Sequence, residues 1–173
     1  MATSDIRAPA AVADGSQGES PPEPERPLGA YTALSGVYAG TVGGFAAWLW
    51  RSGRKVPQEP NPHDLLLVTM ATHKLSRMIA KDRVTSALRH PFTEYQGEAG
   101  PGEVEERARG TGLRRAVGEL LICPYCVGLW VATVFSAGLI AAPRETRWAA
   151  GTFSVLLGSD VLQMAYKKLE DEL

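Results

Sequence analysis

Residues 120–142 read LLICPYCVGLWVATVFSAGLIAA and contain no charged side chain. A helix rises about 1.5 Å per residue, so a run of this length exceeds the roughly 30 Å hydrocarbon thickness of a bilayer. Pro143 follows directly, and proline cannot continue the hydrogen-bonding pattern of a helix interior. The composition therefore predicts a membrane-spanning helix that stops at Ala142.

A second neutral run covers residues 28–50 and predicts the first transmembrane helix. Tyr31 lies near one end of this run, and Trp48 and Trp50 lie near the other. Amphipathic rings favour the headgroup region, so these residues agree with the predicted boundaries. The preceding residues, 1–27, hold little apolar surface to offset the entropy of ordering a backbone, and we predict a disordered tail.

Two weaker apolar segments decide the number of spans. Residues 65–80 contain Lys74 and Arg77, and such charges cost about 2.5–3.5 kcal/mol each at the bilayer centre. Residues 148–166 are interrupted only by Asp160. We predict an all-α fold, a small multi-pass transmembrane helical bundle with three or four spans. The alternative is a soluble domain in which all four apolar segments are buried core helices.

The distribution of charge predicts the orientation. Lys and Arg concentrate in and around residues 81–115, which predicts that this loop and the tail at 167–173 lie in the cytoplasm. Five glycines among many charges in residues 94–112 favour a flexible loop. The formal net charge of -1 lacks the concentrated basic surface of nucleic-acid binders, so we expect no nucleic-acid partner.

The motif CPYC at residues 123–126 holds both cysteines of the chain. Thiolate and imidazole ligands suit zinc, and two cysteines three residues apart can chelate a metal. Depth along the predicted helices places His73 and Asp160 at a similar level, so Cys123, Cys126, His73 and Asp160 form a candidate metal or redox site. We expect no cofactor, and bound zinc is the alternative.

The same motif has two other interpretations. CPYC is similar to the redox tetrapeptide of glutaredoxins, although a helix-like run follows it here rather than the elements of a mixed sheet. Pro124 favours a helix that begins there with Cys123 as its cap, near the positive end of the helix dipole. Alternatively, both cysteines are small packing residues on one helix face with Glu119 and Trp130.

Four charged residues are predicted to lie close to one layer of the bundle. Ionisable groups near lipid are retained when they are paired or face water. We therefore predict a neutralising charge network made of Lys74, Arg77, Glu119 and Asp160.

Glycines recur at four-residue spacing in the first predicted span, at Gly36, Gly40 and Gly44. Three positions without side chains on one helix face allow another helix backbone to approach closely. The row predicts helix packing, with either a second copy of the chain or a helix of the same chain as its partner.

Several short motifs resemble the bacterial DUF1360 family, and the resemblance extends over residues 61–166. They are HKLSRMIAKD at 73–82, LRHPF at 88–92, GEL at 118–120, CPYC at 123–126 and GLW at 128–130. The resemblance implies a membrane-embedded domain. It supplies no catalytic residues, because the family has no established biochemical activity.

We therefore expect a non-enzymatic interaction or structural component of the inner membrane. Its partners would be the lipid bilayer and either a second copy or another membrane protein. The loop arginines are expected to contact anionic headgroups or an acidic partner. The alternative is a metal-binding or thiol-redox membrane protein centred on Cys123 and Cys126. The loop arginines are Arg83, Arg89, Arg107, Arg109, Arg114 and Arg115.

Overall fold

A computed structural model describes residues 27–172, and most of these residues are helical. The predicted tail at 1–27 lies outside the described residues except for Pro27. The long helices are α1, α2, α5 and α6, and we call them the bundle. In chain order the elements are α1 Leu28–Ser52, α2 Pro62–Lys81, a 3₁₀ turn Arg83–Thr85, α3 Ser86–Arg89, β1 Thr93–Gly100, β2 Glu103–Ala108, α4 Gly112–Ile122, α5 Pro124–Ala141 and α6 Pro143–Asp171.

Prolines begin three of the long helices, at Pro62, Pro124 and Pro143. The first helical position needs no amide hydrogen and suits the fixed φ of proline, so these residues define the starts of α2, α5 and α6. Asn61 also caps α2, because its side-chain oxygen accepts a hydrogen bond from the amide of His63 at 2.9 Å.

Two predicted boundaries differ from the structure. The neutral run at 120–142 is divided, because Cys123 has extended backbone angles (φ -102°, ψ 102°) between α4 and α5. Helix α6 begins at Pro143 and continues to Asp171, so most of the predicted cytoplasmic tail at 167–173 is helical.

The long helices alternate in direction. Two ion pairs join α2 to α6, Asp64–Arg147 near the start of both helices and Lys74–Asp160 further along both. The two helices are therefore parallel. Ser76 of α2 lies beside the start of α5, whereas Asp64 meets the segment that follows the end of α5, so α2 and α5 are antiparallel.

Helix α1 runs parallel to α5. The rings of Tyr38 and Trp130 meet edge to face with centroids 5.1 Å apart, and the Arg54 guanidinium donates to the carbonyl of Ala141 at 2.6 Å. A small apolar core lies between α2, α5 and α6. Its buried members are Val68, Ala71, Val127, Val131, Phe135 and Ala150.

The segment predicted as a flexible loop forms a two-stranded antiparallel sheet, whose pairing runs from Thr93↔Ala108 to Gly100↔Glu103. Gly102, between the strands, has a φ of 77°, a conformation that favours glycine. At this position a glycine specifies a turn rather than flexibility. The loop prediction is therefore wrong, and so is the strictly all-α class. We call residues 83–108 the hairpin cap.

Strand β2 lacks an obvious strand pattern because one of its inward positions holds a glutamate. Val104 and Glu106 are buried and alternate with the exposed Glu105 and Arg107. This is the two-residue period of a strand with one buried face. The sequence EVEER has charges on both faces, so the apolar alternation that identifies a strand is missing.

Arg89 is the buried cation that neutralises Glu106. Its side chain is 1% exposed, and its Nε donates to Glu106 Oε2 at 2.7 Å. The remaining guanidinium hydrogens reach the carbonyl oxygens of Ile79 and Asp82 and the hydroxyl of Thr85 at 2.6, 3.1 and 2.6 Å. Arg89 therefore joins the cap to the end of α2. The prediction that it contacts lipid or a partner is wrong, because its donors are used inside the fold.

Glu106 accepts two further hydrogen bonds at the same buried site. Ser86 donates to its Oε1 at 2.5 Å, and Thr93 donates to its Oε2 at 3.1 Å. Burial alone would raise the pKa of Glu106, but the hydrogen bonds from Arg89, Ser86 and Thr93 outweigh it and keep the pKa below its ordinary value. The carboxylate is thus charged and fully bonded at neutral pH.

Within residues 27–172, helix α5 alone combines the length and the mean hydropathy typical of a membrane-spanning helix. A core helix of a water-soluble protein can meet the same two criteria. Helix α1 is long enough, but its glycines and hydroxyl-bearing residues lower its mean hydropathy.

Candidate functional site

The CPYC motif lies at the start of α5, and the predicted cap is confirmed. The amide of Cys126 donates to Cys123 Sγ at 3.3 Å, and the two sulfur atoms are 2.6 Å apart. Both cysteines are free thiols, with Cys123 half-buried and Cys126 exposed. The pair therefore lies at the amino terminus of α5.

The other candidate ligands do not gather around the thiols. His73 is exposed on α2, and Asp160 of α6 forms an ion pair with Lys74, with 2.7 Å between Oδ2 and Nζ. In the part of the chain that the structure describes, no group of three or more His, Cys, Asp or Glu side chains is placed to hold a metal ion.

The four residues of the predicted charge network form three separate sets of contacts. Lys74 pairs with Asp160 at 2.7 Å, as just described, and Asp82 lies 3.9 Å from the same ammonium group. Arg77 instead makes a bidentate pair with Glu103 of β2, with distances of 2.7 and 2.9 Å. The sequence offered no sign of Glu103, because it lies in the segment read as a loop.

Glu119 belongs to a contact between α1 and α4. Its Oε1 accepts from Arg115 Nε at 2.8 Å, one helical turn earlier, and its Oε2 accepts from the hydroxyl of Tyr31. Tyr31, expected in the headgroup region from its position in the first run, therefore links the start of α1 to the carboxylate.

The glycine row of α1 does not face a helix of the described chain. A Cβ built at Gly36, Gly40 or Gly44 meets no atom within 4 Å. Helix α1 contacts α4 and α5 through other positions, among them Tyr38, whose hydroxyl lies 2.9 Å from Thr133 Oγ1. The glycine face is therefore open.

A polar pocket of about 370 Å³ lies between the hairpin cap and α4. In one wall of the pocket, two arginines pair with the carboxylate of Glu94 in β1. Arg109 Nε lies 3.2 Å from Oε1, and an Arg107 guanidinium nitrogen lies 3.8 Å from Oε2. The Arg115–Glu119 pair forms the opposite wall. Three guanidinium groups therefore face two carboxylates, which leaves one net positive charge.

An apolar groove of about 450 Å³ adjoins this pocket at Glu119, which lines both. The groove lies between α1, α4 and α5, with Tyr38 and Trp130 on its walls and Cys126 at its edge. Neither cavity was predicted, because the pocket depends on how the cap lies against α4 and the groove depends on how α1 lies against α4 and α5. The remaining lining residues of the groove are Tyr31, Leu34, Ser35, Ala116, Leu120 and Leu129.

The opposite end of the bundle carries one strong ion pair. Arg147 of α6 donates to both carboxylate oxygens of Asp64 at 2.8 and 2.7 Å. This bidentate pair fixes the start of α6 to the start of α2. No local pattern in the sequence indicates this pair, because 83 residues separate the partners.

Together these features define a mostly helical protein whose long helices meet a compact, charge-rich cap at one end. The chain belongs to the DUF1360 family, because the family model described as "Protein of unknown function (DUF1360)" matches residues 67–166. The resemblance predicted from the motifs is thus confirmed.

One relative is a protein named "Sporulation protein YjcA" from Bacillus subtilis (strain 168). The two sequences are 31% identical over 87 residues, which cover 49% of this chain and 74% of the relative. No solved structure matches the chain significantly.

Proposed function

We propose that this chain is a non-enzymatic integral protein of the bacterial inner membrane. The four long helices of the bundle cross the bilayer, and the hairpin cap lies on the cytoplasmic side. The observation that carries the proposal is the outward exposure of large apolar side chains along the bundle. Val37 on α1, Val134 on α5 and Leu162 on α6 are 59%, 68% and 72% exposed.

Such exposure is uncommon in a soluble monomer, where large continuous apolar patches mark interaction or membrane surfaces. Helix α5 supports the same conclusion, since only 17% of it is buried although it is the most apolar helix. A core helix would be mostly buried. Contact with lipid accounts for an apolar helix that its own fold leaves uncovered.

The placement of charge supports the proposed orientation. The alternating directions of the long helices bring the start of α1, the hairpin cap and the end of α6 to one side. That side carries most of the Lys and Arg residues, which favours the cytoplasm. Lys74 and Asp160 lie deeper in the bundle and neutralise each other at 2.7 Å, as ionisable groups near lipid require.

The open glycine row makes a second copy of the chain the proposed protein partner. Small residues at four-residue spacing let two membrane helices approach closely. No atom of the described chain occupies this face at Gly36, Gly40 or Gly44. The protein would then act by self-association through the glycine row, and not by catalysing a reaction.

Fractionation and cysteine labelling test the membrane proposal. The full chain, with Cys123 and Cys126 replaced by serine, receives one new cysteine at Glu98 in the cap or at Gln58 between α1 and α2. We expect the protein to stay in the pellet after an alkaline carbonate wash. In intact spheroplasts, a membrane-impermeant maleimide should label Gln58→Cys and not Glu98→Cys.

Recovery in the supernatant after lysis without detergent would refute the membrane location. Equal labelling of the two positions would leave the location intact and refute the proposed crossing pattern. Labelling both variants after the membrane is permeabilised provides the control for accessibility.

A thiol-redox role is the second candidate, and the 2.6 Å separation between Cys123 Sγ and Cys126 Sγ favours it. Oxidation would convert the two thiols to an intramolecular disulfide while a small-molecule disulfide is reduced to two thiols. Mass spectrometry after alkylation distinguishes the states. Reversible loss of two alkylation sites in buffered glutathione supports this role. Thiols that stay reduced under the same conditions refute it. Cys123→Ser, which cannot form the intramolecular disulfide, is the matched control.

A further inference from the structure

We propose that the polar pocket and the apolar groove form one binding cleft for an anionic phospholipid. The phosphate group would lie among Arg107, Arg109 and Arg115, and an acyl chain would lie along the groove between α1 and α5. This inference rests on the proposed function, because it places the cleft at the edge of the bilayer. We refer to the two cavities together as the lipid cleft.

The first step is the continuity of the two cavities. They share Glu119, and Ile122 lines the pocket just before α5 begins at Pro124. In the proposed orientation, this level is the boundary between cytoplasm and lipid. A polar cavity on the water side adjoining an apolar groove on the lipid side matches the two parts of a phospholipid.

Charge is the second step. Arg107 and Arg109 share one carboxylate, Glu94, at 3.8 and 3.2 Å, so that side of the pocket keeps one positive charge. The Arg107 side chain is 74% exposed and can move towards an incoming anion. Arginine suits phosphate because its planar donors bind two oxygens at once.

The shape and surface of the groove are the third step. Its volume of about 450 Å³ lies within the usual range of ligand cavities, roughly 300–1,000 Å³. Leu34, Leu129 and Trp130 present apolar surface along it, and Tyr38 closes one wall by packing edge to face against Trp130. A free inorganic anion would use the pocket and leave this apolar surface without a partner.

Trp130 provides a direct probe of occupancy. The full-length protein in mild detergent is titrated with phosphatidylglycerol that carries bromine atoms on its acyl chains, and with brominated phosphatidylcholine. Bromine quenches tryptophan fluorescence only at short range. We expect saturable quenching by phosphatidylglycerol at concentrations at least tenfold lower than for phosphatidylcholine, and loss of that component in Trp130→Phe.

Two variants divide the cleft into its parts. Arg107→Gln with Arg109→Gln should weaken the phosphatidylglycerol component by about tenfold or more, since each basic residue near an anionic lipid surface contributes on the order of 1 kcal/mol. Ser35→Phe, which fills the groove and keeps every arginine, should abolish it. The matched control is Arg83→Gln with Arg144→Gln, which removes the same charge from exposed positions outside the cleft.

Each other outcome overturns the lipid site. Equal quenching by the two lipids shows a groove without headgroup selection, and an equal loss in the matched control shows bulk attraction. Competition by inorganic phosphate without Trp130 quenching shows a simple anion pocket. Because these titrations use detergent, they can fail while the fractionation test succeeds, so the two proposals are refuted separately.

Discussion

The hairpin cap and the bundle are built on opposite principles. The cap buries an ion pair. Arg89 and Glu106 are almost completely buried, and hydrogen bonds satisfy both side chains. The bundle leaves apolar side chains outside, such as Val134 and Leu162 at 68% and 72% exposure. A fold that buries ions at one end and exposes hydrocarbon along its length agrees with the proposed location, in which that end lies in water and the helices lie in lipid.

The largest effect is expected from breaking the buried ion pair of the cap. Arg89→Met leaves the Glu106 carboxylate buried without its cation, and such a loss typically costs about 3–5 kcal/mol. We expect the amides of β1 and β2 to lose protection in hydrogen exchange, while those of α5 keep theirs. Arg83→Gln is the control, since its exposed pair with Glu98 should contribute about 0.2–1 kcal/mol.

If Arg83→Gln and Arg89→Met change the exchange of the cap equally, burial is not what makes the Arg89 pair important. Combining Arg89→Met with Glu106→Leu should recover part of the lost protection, because no unpaired charge then remains.

A smaller effect is expected where the cap meets α4. A Cβ at Gly118 would lie 2.5 Å from the carbonyl oxygen of Phe92 and 3.0 Å from the Cβ of Ala108. Gly118→Ala should therefore destabilise the cap by about 1–3 kcal/mol, despite the better helix propensity of alanine. Limited proteolysis of the cap measures this effect. Unchanged cleavage would show that α4 and the cap can separate without cost.

Acidification should weaken the cap selectively. The pKa of Glu106 is lowered in the folded protein, so its stabilising effect is complete above the ordinary glutamate value of about 4.3 and is lost as the pH falls through the folded value. Each unit of difference corresponds to about 1.4 kcal/mol. Protease sensitivity of the cap between pH 7 and pH 3 measures this loss.

Glu106→Gln provides the comparison for that titration, because it cannot titrate. Its cap should be less stable at neutral pH and should change less on acidification. A wild-type cap that shows no greater acid sensitivity than this variant would contradict the assignment to Glu106.

The smallest effect on folding is expected on the open face of α1. Gly40→Leu adds a side chain where no other segment of residues 27–172 lies within 4 Å of the added Cβ, so the fold and the cap should keep their stability to within about 1 kcal/mol. Self-association in detergent should decrease, as measured by chemical crosslinking. Leu34→Ala, in the groove wall of the same helix, is the control. Equal crosslinking in wild type and Gly40→Leu would exclude the glycine row from the contact.

The helices of the bundle were largely predictable from the sequence. Helices α1 and α5 follow from long neutral runs, and Pro124 with Cys123 correctly marks the start of α5. These signals are local, because helix hydrogen bonds join residues four positions apart. The end of α6 was less predictable than its start at Pro143, because charged and apolar residues mix along Pro143–Asp171 and no local signal marks where the helix stops.

The two strands of the cap could not be predicted from the sequence, and their residues give the physical reason. A strand is recognised by apolar side chains on its buried face, and here Glu106 occupies that face. The glutamate is tolerated only because Arg89, 17 residues away, reaches it, and the sequence gives no sign of that meeting. Glycines then suggested flexibility where Gly102 makes a turn.

The sequence by itself determined the family, the predominance of helix, the capped start of α5 and the apolar character of the long segments, since each depends on neighbouring residues or short motifs. Only the tertiary structure decided which charges pair, which helix positions contact one another and where the polar pocket meets the apolar groove. Those features depend on side chains from distant segments, and a contact between Tyr31 and Glu119 or between Asp64 and Arg147 exists only after the helices have packed.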